Sequence, residues 1–243
     1  MIRIAAAGDV HAGGPGDERL GAAFAEAGRD SDLILLAGDL TLHGEPEEAA
    51  SLAAAVRGLE TPIAAVLGNH DWHANRRDEV VAALTAGGIR LLDREWAVFD
   101  VAGTEVGIVG VKGFVGGFPD SELTDFGEPS LRRVYAETTE EVKALARGLE
   151  AIASCPLRIV LLHYAPTTTT LEGEPRVLWA FLGSDRLAAP IAEHRPDLVL
   201  HGHGHLGTFE GFIGAVPVYN VALPVIGRDF WTFELDRSGV RSS

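Results

Sequence analysis

Short, almost continuously apolar runs recur along the chain between longer segments with helical periodicity. Five such runs share this lack of polar alternation: Ile2 to Ala7, Leu33 to Ala37, Ile63 to Leu67, Leu157 to Leu162, and Leu198 to Leu200. Runs of this kind are typical of strands that are buried on both faces of a sheet. Helical segments separate the first three runs, at Glu18 to Arg29 and Pro46 to Gly58. This βαβαβ order predicts that the sheet begins parallel.

The rest of the chain predicts further helices and antiparallel strands. A helix is expected over Arg77 to Ala86, and the Thr138/Glu141 pair has the spacing of a capping box that opens a helix running to about Ser154. A hairpin is expected at Ala97 to Val101 and Glu105 to Val109, and later strands at Gly207 to Phe212, Val216 to Val221, and Phe230 to Leu235. We therefore expect two packed mixed sheets with helices outside.

Two stretches fit no regular element well. Lys112 to Tyr135 and Ala165 to Gly183 are rich in Gly, Pro or Thr, and long loops of this kind in compact domains usually carry function. We expect both to form walls of a substrate pocket. Disorder is expected only in the polar stretch from Arg237 to Ser243. Because no linker-like stretch divides the chain, residues 1–243 are predicted to form a single domain.

Composition narrows the classes of partner. The formal net charge of -15 argues against long nucleic acid, since affinity for a polyanion comes mainly from Lys and Arg. The single cysteine, Cys155, excludes an intramolecular disulfide and a cysteine-based zinc site. No apolar run approaches the roughly 20 residues of a membrane span. We expect a cytoplasmic protein without a membrane partner, and the sequence carries no signal for its oligomeric state.

Residues able to bind metal follow each of the five apolar runs. The blocks are Gly8-Asp9-Val10-His11, Gly38-Asp39, Gly68-Asn69-His70-Asp71, His163, and Gly202-His203-Gly204-His205. Ligands bind beyond the carboxyl ends of the strands in open α/β sheets, so these blocks are expected to converge on one edge. Glycine precedes the polar residue in four of them, which fits a close approach of the backbone to a bound species.

These five blocks, in this order, resemble the calcineurin-like metallophosphoesterase family, whose pattern is D-x-H, GD, GNH[DE], a lone His and GHxH. The resemblance implies an α/β fold, a four-layer αββα sandwich. It also implies one metal ion on Asp9, His11, Asp39 and His205, and a second on Asp39, Asn69, His163 and His203. Asp39 would bridge the two ions. His70 would contact the phosphoryl group or the leaving oxygen as the catalytic residue, with Asp71 orienting its ring.

The chemistry of the blocks agrees with that assignment. Carboxylate and imidazole ligands without thiolate suit two divalent or mixed-valence ions of Mn, Fe, Zn or Co, and ligand type does not choose among them. A hydroxide bridging the two ions would attack phosphorus in line. Two divalent ions, two aspartates and one hydroxide leave a site charge of about +1, which suits a small phosphoester. None of the five blocks contains Lys or Arg, so a phosphodiester is expected in preference to a phosphomonoester.

Alternatives remain for the function and for several residues. The segment Gly38-Asp39-Leu40-Thr41 looks like the bacterial cyclic-nucleotide phosphodiesterase branch, yet many phosphoesterases share it. Three other hypotheses remain for the function: a phosphomonoesterase acting on a small metabolite, a non-catalytic scaffold, and a dinuclear hydrolase of another bond. His201 is expected to support the site without ligating. Core packing and stacking on a substrate are both open for Trp72, Trp179 and Phe181.

Overall fold

The computed structural model describes residues 1–13, 17–236 and 239–242, and its strands form two six-stranded sheets. In chain order the strands are β1 (Ile2–Ala7), β2 (Leu33–Ala37), β3 (Ile63–Val66), β4 (Ile89–Leu91), β5 (Glu95–Val101), β6 (Thr104–Gly110), β7 (Leu157–Leu161), β8 (Leu198–His201), β9 (Glu210–Ile213), β10 (Val216–Asn220), β11 (Trp231–Asp236) and β12 (Gly239–Ser242). The first sheet has the order β12-β11-β1-β2-β3-β4 and the second β5-β6-β7-β8-β10-β9.

The α-helices of the described residues are α1 (Leu20–Asp30), α2 (Pro46–Ala55), α3 (Arg77–Ala86), α4 (Pro129–Ala151), α5 (Trp179–Leu182), α6 (Ala188–His194) and α7 (Leu223–Ile226). Five of them, α1 to α4 and α6, cover the outer faces of the two sheets. Phe24, Leu52 and Leu84 of α1 to α3 pack on the outer face of the first sheet. Leu145 of α4 and Ile191 of α6 belong to the cluster on the outer face of the second sheet.

A third apolar cluster lies between the two sheets. Ile4 and Leu35 of the first sheet share it with Ile108 and Ile159 of the second, and all four are fully buried. Burial on both faces explains why these strands read as continuous apolar runs instead of alternating ones. The predicted α/β sandwich of two mixed sheets with helices outside is confirmed.

Parallel pairing sets the position of the site. In the first sheet β1 pairs with β2 and β2 with β3 in parallel, and in the second β7 pairs with β8 in parallel. The carboxyl ends of β1, β2 and β3 therefore lie side by side in the first sheet, and those of β7 and β8 lie side by side in the second. Packing of the two sheets against each other brings these two groups of strand ends together. Each of the five predicted blocks begins at one of these strand ends.

The hairpin between β5 and β6 is antiparallel, as predicted. Its turn residues Ala102 and Gly103 both have positive φ, 50° and 78°. A two-residue turn of this kind matches the right-handed twist of the flanking strands.

Four local predictions were wrong. The stretch Ala165 to Gly183, predicted to lack regular structure, contains α5 and two 3₁₀ turns before it. Helix α4 begins at Pro129, whose fixed φ suits a first helical turn, so the end of the predicted loop Lys112 to Tyr135 is helical. Thr138 does not cap a helix; it lies within α4 and its hydroxyl donates to the Val115 carbonyl at 2.5 Å. In the stretch predicted to be disordered, Gly239–Ser242 form β12, paired with β11, while Arg237, Ser238 and Ser243 lie outside the described residues.

In the described part of the chain, none of the helices combines the length and hydrophobicity that crossing a bilayer demands.

The packing between the sheets predicts how much stability is lost when a buried side chain there is truncated. Leu35→Ala removes a side chain that is 0% exposed in the central cluster. We expect it to lower the free energy of unfolding by about 2–5 kcal/mol, because the neighbouring strands cannot collapse into the cavity. Leu131→Ala, at a site 50% exposed on α4, is the matched control and should cost roughly 0.5 kcal/mol or less. Urea unfolding checks this, and equal losses for the two variants would contradict the described packing.

Candidate metal centre

The strand ends bring most of the predicted ligands into three overlapping clusters. In each cluster one donor atom from every residue lies within 4.8 Å of the others. The first contains Asp9, His11 and His205, and the second contains Asp39, His163 and His203. The third combines His11, Asp39 and His70 and so connects the other two. The first two clusters correspond to the two ligand sets that the sequence resemblance implies.

Asp39 lies between the clusters and is only 1% exposed. Its Oδ1 is 3.4 Å from His163 Nε2, and its Oδ2 is 3.9 Å from His11 Nε2. Two ligands that bind one ion at about 2.1 Å each lie roughly 3 to 4 Å apart, so both distances suit a shared ion. Each oxygen of this carboxylate therefore faces a different cluster.

Asp9 anchors the first cluster from a buried position, 3% exposed. His205 Nε2 lies 2.8 Å from its Oδ1, and the His203 backbone N–H donates to Oδ2 at 3.0 Å. Burial alone raises the pKa of Asp9, but these hydrogen bonds and the nearby histidines outweigh it and hold the pKa below its usual value. The carboxylate is thus kept in the ionised form that binds metal.

Backbone carbonyls fix the orientation of two histidine rings. His163 Nδ1 donates to the Ala37 carbonyl at 3.0 Å, and His203 Nε2 donates to the Phe181 carbonyl at 3.2 Å. A carbonyl only accepts, so each of these nitrogens carries a proton, and the other nitrogen of each ring is the one that can bind a metal ion when the ring is neutral. Burial lowers the pKa of His203 to about 3, which keeps that ring neutral.

The donor set fits a metal ion at the second cluster. His163 Nε2 lies 2.9 Å from Asn69 Oδ1 and 3.4 Å from Asp39 Oδ1, so one imidazole nitrogen and two oxygens of different residues converge there. A set of nitrogen and oxygen donors without thiolate suits a divalent transition-metal ion. In the first cluster, His11 has a buried Nδ1 that lacks a hydrogen-bond partner among the described residues, an arrangement that buried polar groups rarely show.

Four of the predicted metal ligands have a strained backbone conformation. Asp9, His11, Asp39 and His203 all have positive φ, between 48° and 69°. Residues other than glycine seldom adopt this left-handed region, and such strain persists where the surrounding structure imposes it, commonly at functional sites. The four positions lie at three different strand ends, so the site as a whole imposes the strain.

The glycines before the ligands allow neighbouring blocks to touch. A Cβ at Gly68 would lie 2.1 Å from Asp39 Oδ1, and one at Gly202 would lie 2.4 Å from Asp9 Oδ2. A Cβ at Gly38 would meet the His163 ring at 2.6 Å. Each glycine therefore makes room for a ligand side chain that belongs to a different strand. This close approach explains the glycine in three of the four blocks that contain one.

His70 and Asp71 are placed differently from each other. His70 Nδ1 donates to the Leu42 carbonyl at 2.7 Å, and its Nε2 lies 3.9 Å from Asp39 Oδ2, beside the metal ligands. The predicted contact between Asp71 and the His70 ring was wrong. Asp71 is fully buried and its carboxylate accepts from the backbone N–H groups of Leu40, Thr41 and Gly68.

Asp71 therefore positions the loops that carry Asp39 and Asn69 and has no access to substrate. Burial and the charge of Asp39 raise the pKa of Asp71 to about 6, against the effect of its hydrogen bonds.

Other residues complete the surroundings of the site. His201 is fully buried between Thr170 Oγ1 at 2.7 Å and the Gly202 carbonyl at 2.8 Å, a supporting role of the kind predicted. Sequence reasoning missed Tyr164, whose ring packs 4.5 Å from that of His203 and 5.3 Å from that of His163. Its position directly after His163 was the only signal available.

The close approach at Gly38 predicts a selective loss of metal. Gly38 and Gly58 both have φ +83°, but a Cβ at Gly58 meets no atom within 4 Å. Gly38→Ala and Gly58→Ala should therefore share a strain cost of about 1–2 kcal/mol. Only Gly38→Ala should displace His163 and weaken metal binding, by about 10- to 100-fold. Competition with a chelator measures this, and equal metal affinities in the two variants would refute the contact.

Comparisons with known proteins agree with this geometry. The profile of the family described as calcineurin-like phosphoesterase matches residues 2–207. Among solved structures, phosphopantetheinyl hydrolase from Mycobacterium tuberculosis has a TM-score of 0.70 at 17% identity over 99% of this chain and 95% of that one. The protein TT1561 of Thermus thermophilus has a TM-score of 0.64 at 20% identity over 100% and 98%.

At these identities the structural likeness shows the fold alone, and no curated protein matches the chain. The family match covers most of the sequence and includes all five metal-binding blocks. The chain therefore belongs to the calcineurin-like phosphoesterase family, whose members are metal-dependent phosphoester hydrolases.

Proposed function

We propose that this protein is a dinuclear metal-dependent phosphodiesterase. The observation that supports this most directly is the Asp39 carboxylate, whose two oxygens face two separate clusters of ligands. We assign Asp9, His11, Asp39 and His205 to one ion and Asp39, Asn69, His163 and His203 to the other. Two such ions of Mn, Fe, Zn or Co supply Lewis acidity and an activated water when they are bound.

His70 is the residue proposed to act on the substrate. The Leu42 carbonyl holds the proton of Nδ1, so Nε2 is free to hold or release a proton on the side of Asp39. The side chain is 31% exposed, which leaves it accessible to a phosphoryl group over the ligands. A proton delivered from Nε2 to the leaving oxygen would be general acid catalysis. Asp71 supports this arrangement through hydrogen bonds from the backbone of Thr41 and Gly68 and from the Thr41 hydroxyl.

The cations around the site favour a diester. A monoester dianion usually needs a cationic fork in addition to the metals. Arg76 and Arg77, which follow the His70 block in the sequence, are already paired: Arg76 with Glu45 and Glu79, and Arg77 with Asp78 and Asp93. The Lys112 ammonium packs 4.2 Å above the Phe114 ring and donates to the Gly113 carbonyl.

Arg176 stacks on Trp179 at 5.3 Å. These contacts hold the cations in place and compete with any role in binding phosphate.

The alternatives are a phosphomonoesterase and a non-catalytic scaffold. The names of the structural neighbours, such as the putative 5'-nucleotidase from Staphylococcus aureus at 14% identity, belong to proteins that share the fold and do not choose among these functions.

Two variants separate metal binding from proton transfer. Asp39→Ala should abolish metal retention and activity together, because one carboxylate serves both clusters. His70→Ala should retain the metals and lose roughly 10²- to 10⁴-fold in turnover. Elemental analysis and kinetics on both variants, reconstituted with Mn, check this. If His70→Ala also loses the metals, the proposed division of roles is wrong.

The ester preference is tested with two aryl substrates at equal metal loading. Bis(p-nitrophenyl) phosphate, a monoanion, should have a higher kcat/KM than p-nitrophenyl phosphate, a dianion. The reason is a site charge of about +1 from ligand blocks that contain no Lys or Arg, within a protein of net charge -15. A higher kcat/KM for the monoester would favour the phosphomonoesterase alternative.

A further inference from the structure

Exposed apolar side chains form a ridge from two parts of the chain, the helical stretch around α5 and the residue that follows His205. This apolar ridge consists of Val177, Leu178, Phe181 and Leu206, which are 80%, 43%, 61% and 65% exposed. Arg176–Leu178 and α5 form one continuous helical stretch. Val177 and Phe181 are four residues apart and so project from the same side of it.

The opposite side of this helical stretch is already packed. Trp179 and Leu182 contact a small cluster with Phe118, Ala165 and Leu171. The segment therefore has a buried apolar face and an exposed one, and the exposed face adds nothing to this cluster. Contiguous exposed apolar groups of this kind mark binding sites more often than scattered ones do.

The apolar ridge adjoins the metal centre directly. The carbonyl of Phe181 accepts the hydrogen bond from His203 Nε2, and Leu206 follows His205, whose side chain is 41% exposed. A group bonded to phosphorus over the metal ligands would therefore begin beside this ridge.

Hydrogen bonds hold the two parts of the ridge together. The Leu206 backbone N–H donates to Glu174 Oε1 at 2.7 Å, and Trp179 Nε1 donates to the Glu174 carbonyl at 3.1 Å. Glu174 thus connects the loop after His205 to the helical stretch. The apolar surface is preformed, so a ligand would not have to order it.

The charge around the apolar ridge points to its occupant. Between Ala165 and Gly183 the only Lys or Arg is Arg176, which stacks on Trp179, and between His203 and Ile213 there is none. Attachment to an anionic membrane surface uses clusters of cations near the apolar groups, and a net charge of -15 opposes it. An apolar group that arrives as part of the substrate needs no such cations.

We propose that the apolar ridge binds one alcohol of the phosphodiester substrate, so that the substrate class is a phosphodiester of an apolar alkyl or aryl alcohol. This inference rests on the proposed phosphodiesterase function. It makes Val177 and Phe181 determinants of specificity that act through apolar contact.

The test is a series of p-nitrophenyl alkyl phosphodiesters with methyl, butyl and octyl groups. The leaving group is the same throughout, so the chemical step is matched and the slope of kcat/KM with chain length reports binding of the alkyl group. A fully buried methylene should raise kcat/KM about fourfold, so we expect a rise of at least about tenfold from methyl to butyl. Absence of hydrolysis for every member would defeat the proposed function itself, whereas hydrolysis with no dependence on chain length would overturn only this inference.

Variants locate the effect on the surface. Val177→Ser and Phe181→Ser should flatten the slope, and Val177 is exposed enough that its replacement does not threaten folding. Phe212→Ser is the matched control, 51% exposed on β9 opposite Pro217, at the end of β10 away from the metal ligands. It should retain the slope of the unmodified protein. If the slope of kcat/KM with chain length is unchanged in both ridge variants, the proposal is contradicted. It is also contradicted if kcat/KM does not depend on chain length and the ridge instead binds neutral phosphatidylcholine vesicles.

Discussion

Two buried carboxylates, Asp9 and Asp39, determine how the rest of the site is built. Removing a carboxylate from water is costly unless it is paired, and among the described residues the ion pairs of Asp9 and Asp39 are all with histidines. Among the described residues, neither carboxylate pairs with a Lys or Arg side chain. Metal ions are the charges that fit this environment, which is why a protein of net charge -15 can be expected to attract a phosphoester at this point.

Bringing those carboxylates and rings together requires a close approach between strand ends. Glycine supplies the space at Gly38, Gly68 and Gly202, and Asp9 and Asp39, just after two of the strands, adopt the left-handed backbone conformation. The strain is tolerated because apolar layers hold the strands in register, one between the sheets and others beneath the helices. Stability of the core and geometry of the site are therefore parts of one arrangement.

The sequence predicted the strands and the convergence of ligands because both depend on local pattern. Continuous apolar runs identify buried strands, and a polar residue directly after each run has to emerge at the sheet edge. Contacts between residues far apart in the sequence could not be predicted, because a local pattern carries no information about them. The Leu42 and Phe181 carbonyls that orient His70 and His203 are backbone atoms with no signal in the sequence. Asp71 was misplaced because its partners Leu40 and Thr41 are 30 or more residues away. The early start of α4 at Pro129 was hidden by the Gly- and Pro-rich stretch before it.

The most direct test of this account is whether Asp39 bridges two ions, and electron paramagnetic resonance of the protein with two equivalents of Mn(II) measures it. Two ions joined by one carboxylate are magnetically coupled. We expect the second equivalent to replace the six-line spectrum of isolated Mn(II) with that of a coupled pair, and Asp39→Ala to abolish the coupled spectrum. A spectrum that grows only as isolated Mn(II) through both equivalents would contradict the dinuclear centre.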